Sequence, residues 1–415
     1  MNEKHEEPEV YLVGGAVRDG LLGREVKDRD WVVVGTTPED MLERGYKPVG
    51  QEFPVFLHPG TREEYALARK ERKTAPGYKG FAFEFSPDVS LKDDLARRDL
   101  TINAMARDKE GRLIDYFGGR RDLELGILRH VSPAFAEDPV RLLRVARFRA
   151  RYGYEIAPET RELLAEMVKR GEVDALVAER VWQELSGALI EPRPALFIET
   201  LRECGALARI FPEIDALFGV PQRKEYHPEI DTGVHTLMSL TQARGMTDDP
   251  VVLFAVLVHD LGKALTPREQ WPRHHRHEIL GVAPIDGLCD RYRTPGRYRQ
   301  FARQVCRYHL RMHRLGELKP GTIVELIEEV GGFRDEKRIE QFIIACRADA
   351  QGRKGKEHSP YPQAELFRRC FEAANSVPAG QIAGRFSSGR EIGEALFRER
   401  CAAVKMVVVR HANET

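Results

Sequence analysis

Two aspartates separated by one residue, Asp28-Arg29-Asp30, run straight into Trp31-Val32-Val33-Val34. Alternate residues of a strand share a face, so Asp28 and Asp30 point the same way, within reach of one ion. Carboxylates held that close repel unless a cation sits between them. Mg²⁺ suits such a pair and ordinarily brings phosphate substrates with it. An isolated D-x-D is common and often just opens a strand at a solvated turn. The sequence just upstream, Gly14-Gly15-Ala16-Val17-Arg18-Asp19, changes the weighing. Backbone N–H groups at a glycine turn opening a helix, with Gly15 and Arg18, can cradle a triphosphate. Alone, the two glycines mean no more than a tight turn needing positive φ. Combined in one β-turn-α-β unit, glycines, arginine and aspartates form a nucleotide-plus-metal constellation more specific than either half.

A second group of chemistry-bearing residues lies far downstream. The apolar run Leu253 to Val258 ends in His259-Asp260-Leu261-Gly262-Lys263, with His235 before it and Asp349 after it. Three helices can bring His235, His259, Asp260 and Asp349 around one divalent cation. Imidazole and carboxylate together suit Mn, Ni, Fe, Zn or Mg, so the ligand types leave the metal open. The cluster His274-His275-Arg276-His277 offers more donors, or only a solvated loop.

Arginine is concentrated twice. Arg141, Arg144, Arg147, Arg149 and Arg151 fall within residues 141–151, with no acidic residue among them. Uncompensated like charges at these spacings weaken a helix, which points to an anionic partner. From Arg291 to Arg314 there are eight arginines and again no acid, interleaved with Tyr292, Tyr298, Phe301 and Tyr308. Arg299, Arg303, Arg307 and Arg311 fall at i, i+4 spacing on one helical face. Such a stripe suits a phosphate backbone, with aromatics for stacking.

The elements that must position these groups are also legible. Strands are expected at Glu9 to Val13, Trp31 to Val34, Val55 to His58 and Glu64 to Ala68, with helices at Ala16 to Leu22 and near Glu39 to Glu43. From about Pro139 apolar residues recur at helical spacing and strand signals nearly vanish. The fold class expected is α+β: a mixed-sheet head over 1–137, a helical neck and body over 138–225, a helical metal domain over 226–350 and a helical tail over 351–415. Residues 351–356 read as a polar, flexible break, and Pro378 to Gly389 as loosely specified. The 415 residues carry 65 Lys plus Arg and 65 Asp plus Glu, which excludes a uniformly basic polyanion binder but not local basic patches. Six scattered cysteines without a C-x-x-C read as reduced thiols. No apolar run approaches the length needed to cross a bilayer, and Met1 to Pro8 resembles no targeting peptide. A cytoplasmic protein without membrane attachment is expected, as monomer or weak homodimer.

Residues 11–34, YLVGGAVRDGLLGREVKDRDWVVV, resemble the nucleotidyltransferase signature of bacterial tRNA CCA-adding enzymes in the poly(A)-polymerase-like class. The likeness continues through Glu64 to Arg69, DDLARRDLTINAM at 93–105 and EDPVRLLRVARF at 137–148. The order H…HD…D on successive helices resembles the HD phosphohydrolase superfamily, as in the long form of these enzymes.

The resemblance implies template-independent addition of C, C and A to tRNA from CTP and ATP, with Asp28 and Asp30 holding Mg²⁺. It implies that Asp138 and Arg141 read the base edge, that Arg144 and Arg147 contact phosphate or ribose, and that Arg98 approaches the nucleotide. Glu64 is a further carboxylate, Glu137 orients the arginines or serves the helix N-terminus, and residues 69–81 form a mobile basic loop near the primer. For the HD part it implies hydrolysis of phosphomonoesters and 2′,3′-cyclic phosphates with Ni²⁺, Mn²⁺ or Mg²⁺, and Lys263 on the substrate phosphate. Where the family reads HHGH, this chain has Arg276 in place of glycine. Poly(A) polymerases and nitrogen-sensing uridylyltransferases share parts of this pattern. The first usually carry a long basic tail, the second a pair of regulatory domains. A degenerate tRNA-binding module would have lost Asp28 or Asp30.

Overall fold

The computed structural model describes residues 7–26, 28–49, 55–73, 81–84 and 86–414. The chain forms two compact units, one up to Val181 together with Glu203–Ala206, the other Trp182–Arg202 with Leu207–Thr415. The α+β expectation holds.

In the first unit the strands are β1 (Glu9–Val13), β2 (Asp30–Val34), β3 (Lys47–Val49), β4 (Val55–Leu57), β5 (Glu64–Leu67), β6 (Lys70–Lys73), β7 (Phe81–Glu84), β8 (Ala106–Arg107) and β9 (Leu113–Ile114). Seven of them form one sheet in the order β3-β4-β5-β2-β1-β8-β9, while β6 and β7 pair separately. In β2 every residue after Asp30 is apolar because both faces of the sheet are covered. Val32 packs with Val13, Leu95 and Ala106 on one side, and Val33 with Met41, Phe56 and Leu67 on the other. A central strand buried twice reads as a continuous apolar run rather than an alternation.

Helix α1 (Gly15–Leu21) follows β1 directly. Helix α2 (Leu91–Ala96) starts at a capping box in which Ser90 and Asp93 satisfy each other's backbone N–H. The arginine-rich stretch is helix α3 (Val140–Tyr152). Residues 74–80, most of the expected basic loop, lie outside the described residues. Its first flank is the strand β6, paired with β7.

The second unit is helical. Helix α4 (Thr232–Met246) is capped by Asp231, and α5 (Pro250–Val258) by Asp249 with Pro250 in its first turn. All residues of α5 from Val251 to Val258 are buried, as expected of a helix apolar all round. It is packed by α6 (Gly296–His313), which is followed by α7 (Pro320–Glu329) and α8 (Lys337–Gln351). Edge-to-face contacts of Trp182, Phe254 and Tyr298 fix α5 against α6. The segment expected to be loose over 378–389 contains the short helix Ala379–Ala383, and a last helix runs Gly389–Glu414. The expected break at 351–356 is firm at its start. Gly352 is buried, and a Cβ there would lie 2.2 Å from Ser239 Oγ.

All six cysteines are free, five of them buried. Among the described residues no helix is long and apolar enough to cross a membrane.

Candidate functional site

In the first unit the glycine turn and the aspartates meet at one end of the sheet. Asp30 pairs with Val13 of β1, the residue before Gly14, and with Glu64 of β5 in parallel register. Asp28 precedes the strand, and both aspartates are exposed, as is Glu64. Among the described residues these three do not form a donor set within 4.8 Å. That openness suits Mg²⁺, which keeps waters and borrows phosphate oxygens rather than filling a protein cage.

Gly14 has φ 68°, and a Cβ there would come 2.8 Å from Arg98 Nη1, so glycine lets the Arg98 guanidinium lie against the turn. Arg98 donates to Asp94 Oδ2 at 3.2 Å. Its buried Nε has no hydrogen-bond partner among the described residues.

The other arginines of the expected set also have protein partners. Arg18 is buried, with its fork on Asp19 at 2.9 and 3.0 Å and another bond to Asn103 Oδ1. It also lies over the rings of Phe148 and Tyr152. Arg144 Nε donates to Asp99 Oδ2 at 2.8 Å, and Asn103 Nδ2 donates to the other oxygen of Asp99 at 2.9 Å. A buried chain Arg144–Asp99–Asn103–Arg18–Asp19 therefore ties α3 to α1. Burial opposes ionisation of Asp99, but Arg144 and the Asn103 and Leu100 donors outweigh it and hold its pKa at about 2. Arg149 pairs with Glu203. Much of the anionic partner expected for this helix is thus the protein's own carboxylate.

The residues expected to read bases are also paired. Arg141 Nη1 donates to the Ala134 carbonyl at 2.9 Å. Asp138 receives both ends of Arg180 at 3.1 and 2.9 Å. Arg147 is half-buried on the same helix. Sequence reasoning passed over Arg180, a single arginine near the start of Ala178–Leu189 with no local pattern to mark it.

The second unit assembles the four expected metal-binding residues from two helices, α4 with His235 and α8 with Asp349, and from the turn after α5, with His259 and Asp260. His235 Nε2 lies 3.0 Å from Asp349 Oδ1 and 3.8 Å from Asp260 Oδ2. His259 Nε2 lies 3.2 Å from Asp260 Oδ2 and 3.8 Å from Asp349 Oδ2. Asp260 reaches further. Its Oδ1 lies 3.4 Å from His277 Nε2 and 3.8 Å from His309 Nε2. Among the described residues two three-donor groups border Asp260, His235/His259/Asp349 and Asp260/His277/His309, and a third, His227/Glu229/His235, shares His235.

The histidines are aimed before any ion arrives. Each Nδ1–H meets a backbone carbonyl: Val256 for His259 at 2.7 Å, His274 for His277 at 2.8 Å, Cys306 for His309 at 2.9 Å, Gly352 for His235 at 3.0 Å. That fixes the tautomer leaving Nε2 as the ligand atom. His259 Nε2 and Asp260 Oδ1 are buried without hydrogen-bond partners, so the residues present fit a cation. Burial lowers the His309 pKa to about 3. Burial also pulls down on His259, but the Asp260 carboxylate beside it prevails and its pKa rises to about 9. The cluster favours positive charge, which a bound divalent cation would supply in place of a proton.

Of the histidine-rich loop only His277 joins the centre. His274 bonds Thr266 Oγ1 and the Pro221 carbonyl at 2.7 and 2.8 Å, and His275 is exposed. Arg276 takes φ 63°, the left-handed conformation glycine favours, as N-cap of His277–Leu280. Gly262 explains the close approach of this loop, since a Cβ there would lie 2.0 Å from the His277 carbonyl oxygen. Lys263 Nζ is held between Asp260 Oδ2 at 2.5 Å and Gln222 Oε1 at 2.6 Å.

Sequence reasoning missed His309, His313 and Glu229. His313 Nε2 lies 2.6 Å from Asp349 Oδ2, and Glu229 Oε1 lies 3.2 Å from His235 Nδ1 and 3.0 Å from His227 Nδ1. The i, i+4 spacing of His309 and His313 was the available signal, hidden among arginines. Arg299, Arg303 and Arg307 line a cavity of about 690 Å³ on α6, whereas Arg311 is not among its lining residues and lies over Tyr308. Arg299 and Arg303 find acids just upstream of the stretch, Asp290 and Asp286.

Three family descriptions match the chain: "Poly A polymerase head domain" over residues 10–129, "Probable RNA and SrmB- binding site of polymerase A" over 153–218, and "HD domain" over 232–351. The multifunctional CCA protein of Alkalilimnicola ehrlichii is 60% identical over 95% of this chain and 96% of its own length. That of Nitrosococcus oceani is 58% identical, over 96% and 98%. Among solved structures, a CCA-adding enzyme complexed with ATP superposes with TM-score 0.64 at 22% identity, covering 98% of this chain and 89% of that one. The Thermotoga maritima CCA-adding enzyme complexed with tRNA gives 0.64 at 21%, covering 97% and 91%. At these identities the two structures support the fold. The long, nearly full-length identity supports more: this chain belongs to the multifunctional CCA protein family.

Proposed function

We propose that the chain adds CCA to tRNA 3′ ends from CTP and ATP, and that its HD domain hydrolyses phosphate esters. The observation that carries the first reading is the register placing Asp30 beside Val13-Gly14 and Glu64, which puts carboxylates and phosphate-binding turn at one edge. Asp28 and Asp30 would hold Mg²⁺, which when bound lowers the pKa of the tRNA 3′-hydroxyl and offsets charge at the α-phosphate. The 3′-oxygen forms a bond to the α-phosphorus, the α–β phosphoanhydride bond breaks, and pyrophosphate leaves. Arg98 meets the phosphates at the Gly14 turn. Asp138 and Arg141 present a carboxylate and a guanidinium to the base edge, leaving G or U with unpaired groups; Arg180 holds Asp138 in place. Arg18 and Arg144 support these groups through Asp99 and Asn103, and Arg147 contacts phosphate or ribose.

In the HD domain, His235, His259, Asp260 and Asp349 would hold a divalent metal, Ni²⁺, Mn²⁺ or Mg²⁺, with His277 and His309 extending the set across Asp260. When bound, such a metal supplies an activated water at neutral pH. Lys263 stands beside Asp260 to meet the substrate phosphate, which suits 2′,3′-cyclic phosphates and phosphomonoesters at damaged tRNA ends. We assign 1–137 to the catalytic head, 138–225 to the nucleotide-selecting neck and body, 226–350 to the HD domain and 351–415 to a tail contacting tRNA, in a cytoplasmic monomer or weak homodimer.

The test is incubation of the protein with tRNA lacking its 3′ end, Mg²⁺ and each nucleotide singly or together, followed by sequencing of products. Addition of CCA and then a stop, lost in Asp28→Ala, is the expected result. Runs of A without C would replace this reading with a poly(A) polymerase.

A further inference from the structure

The cavity on the arginine face of α6 belongs to neither reaction centre. Arg299, Arg303 and Arg307 of α6 line it with Arg334 from the turn after α7 and Arg338 from the first turn of α8, alongside the acids Glu328, Glu329 and Asp335. Two of these arginines have protein carboxylates, Asp290 for Arg299 and Asp286 for Arg303. Among the described residues Arg307, Arg334 and Arg338 have no ion pair. Arg338 packs its guanidinium over Phe301 at 5.2 Å, and its buried Nη1 has no hydrogen-bond partner. A concavity that gathers five guanidiniums from α6, the turn after α7 and α8, against three carboxylates none of which is ion-paired to Arg307, Arg334 or Arg338 among the described residues, calls for a ligand with several negative charges.

The spacing indicates which. Residues four apart on a helix rise about 6 Å, close to the distance between neighbouring phosphates on an RNA strand. Arginine forks bind phosphodiester oxygens in pairs. From another face, the same helix sends His309 and His313 to the metal centre. A strand seated in the cavity therefore lies one helix away from the hydrolytic residues.

We propose that this cavity is a phosphodiester-binding pocket of the HD domain, taking consecutive backbone phosphates of the RNA whose 3′ end is processed. The inference rests on the reading of tRNA as substrate and adds to it a defined site, with Arg334 and Arg338 as members beyond the stripe on α6.

The experiment measures tRNA affinity of the full chain across a salt series, for wild type, for Arg307→Gln/Arg338→Gln and for the surface control Arg112→Gln, an exposed position of the first unit paired with Asp108 and Glu110. The pocket predicts that the double variant binds about tenfold more weakly at moderate salt, with the slope of log affinity against log salt reduced by between about 1 and 2, since each phosphate contact contributes about 0.7–0.9. The control keeps wild-type affinity and slope. Should the double variant fold poorly, Arg334→Gln, an exposed position, is expected to weaken binding about threefold. Equal affinity and slope in wild type and the well-folded variants would overturn the pocket while leaving the tRNA reading intact. A wild type that binds no tRNA even at low salt would overturn both. Tripolyphosphate serves as small-anion probe: if wild type binds it, the double variant does not, and tRNA binds both equally, the RNA assignment falls to a small-anion site.

Discussion

The two reaction centres of this chain are built on opposite plans. The candidate metal centre of the second unit is held by the protein itself: its donors are buried, and each of four histidines is aimed by a carbonyl on its other nitrogen. The centre of the first unit is open. Asp28, Asp30 and Glu64 are exposed, while Asp138 and Arg141 rest on Arg180 and the Ala134 carbonyl. The difference follows from what each must hold. A hydrolytic metal is held mainly by protein ligands with a position left for water, whereas a nucleotidyl-transfer metal arrives with phosphates that complete its shell. A site that accepts first C and then A also needs reading groups that can exchange partners. On the proposed reading, Arg180 and the Ala134 carbonyl would keep Asp138 and Arg141 satisfied between substrates.

The most direct way to break the comparison is reciprocal disablement. Asp28→Ala should lower CCA addition on the order of 10²–10³-fold, with hydrolysis of a 2′,3′-cyclic phosphate unchanged. His259→Ala should do the reverse. Kinetics of both reactions on the same two variants decide it, and joint loss of both activities in either variant would dissolve the two-centre picture.

A smaller effect probes the pre-aimed cage from outside its ligands. Gly352 supplies the carbonyl that orients His235, and its missing Cβ leaves room for Ser239. Gly352→Ala must displace one or the other. Hydrolysis or metal affinity should fall by about 10–100-fold, the range for partners that orient ligands, while CCA addition stays at wild-type rate. Metal content by elemental analysis alongside both assays checks this.

How far the sequence carries depends on whether a residue's role is local. The D-x-D strand, the glycine turn and the His-Asp turn were legible because the strand period, the turn chemistry and the end of an apolar helix each act over a few residues. Element ends came within a residue: a helix expected from Ala16 begins at Gly15, and a strand expected from Trp31 begins at Asp30. Long-range pairing was not legible. Arg144 seemed available to substrate because no acid lies near it in sequence, yet Asp99 engages it; Arg18 has Asp19 beside it, but the contact that buries it is with Asn103, 85 residues on. His309 and His313 were masked by the arginines sharing their helix. Residues 351–356 looked like a linker by composition, although the Gly352 carbonyl accepts from the buried His235. In each case the deciding contact crosses tens of residues, and no local period reports it.

The buried chain behind the open centre gives the next prediction. Asp99 has a folded pKa of about 2 against an ordinary 3.8. A depressed carboxyl contributes stability that is present above the ordinary value and lost as pH falls through the folded one. Asp99→Asn should therefore cost about 2 kcal/mol at neutral pH. Its deficit relative to wild type should close between about pH 4 and 2. Denaturant unfolding across that range measures it; a gap independent of pH would mean that packing, not the ion pair with Arg144, carries the loss.

The smallest effect tests most sharply whether the open centre holds its reading groups by exchange. Arg180 grips both oxygens of Asp138 without belonging to the base-reading set. If the grip only stabilises the fold, Arg180→Gln should lower the rates with all four nucleotides alike. If it orients Asp138 toward the base edge, discrimination should suffer first. The kcat/KM ratio of CTP to UTP should then narrow by about tenfold, one well-placed hydrogen-bonding contact's worth of selectivity, with the CTP rate itself falling less. Arg180→Lys restores the charge without the two-pronged geometry and should recover only part of the ratio. The conservative variant thus separates orientation from charge, because a purely electrostatic role would be restored in full.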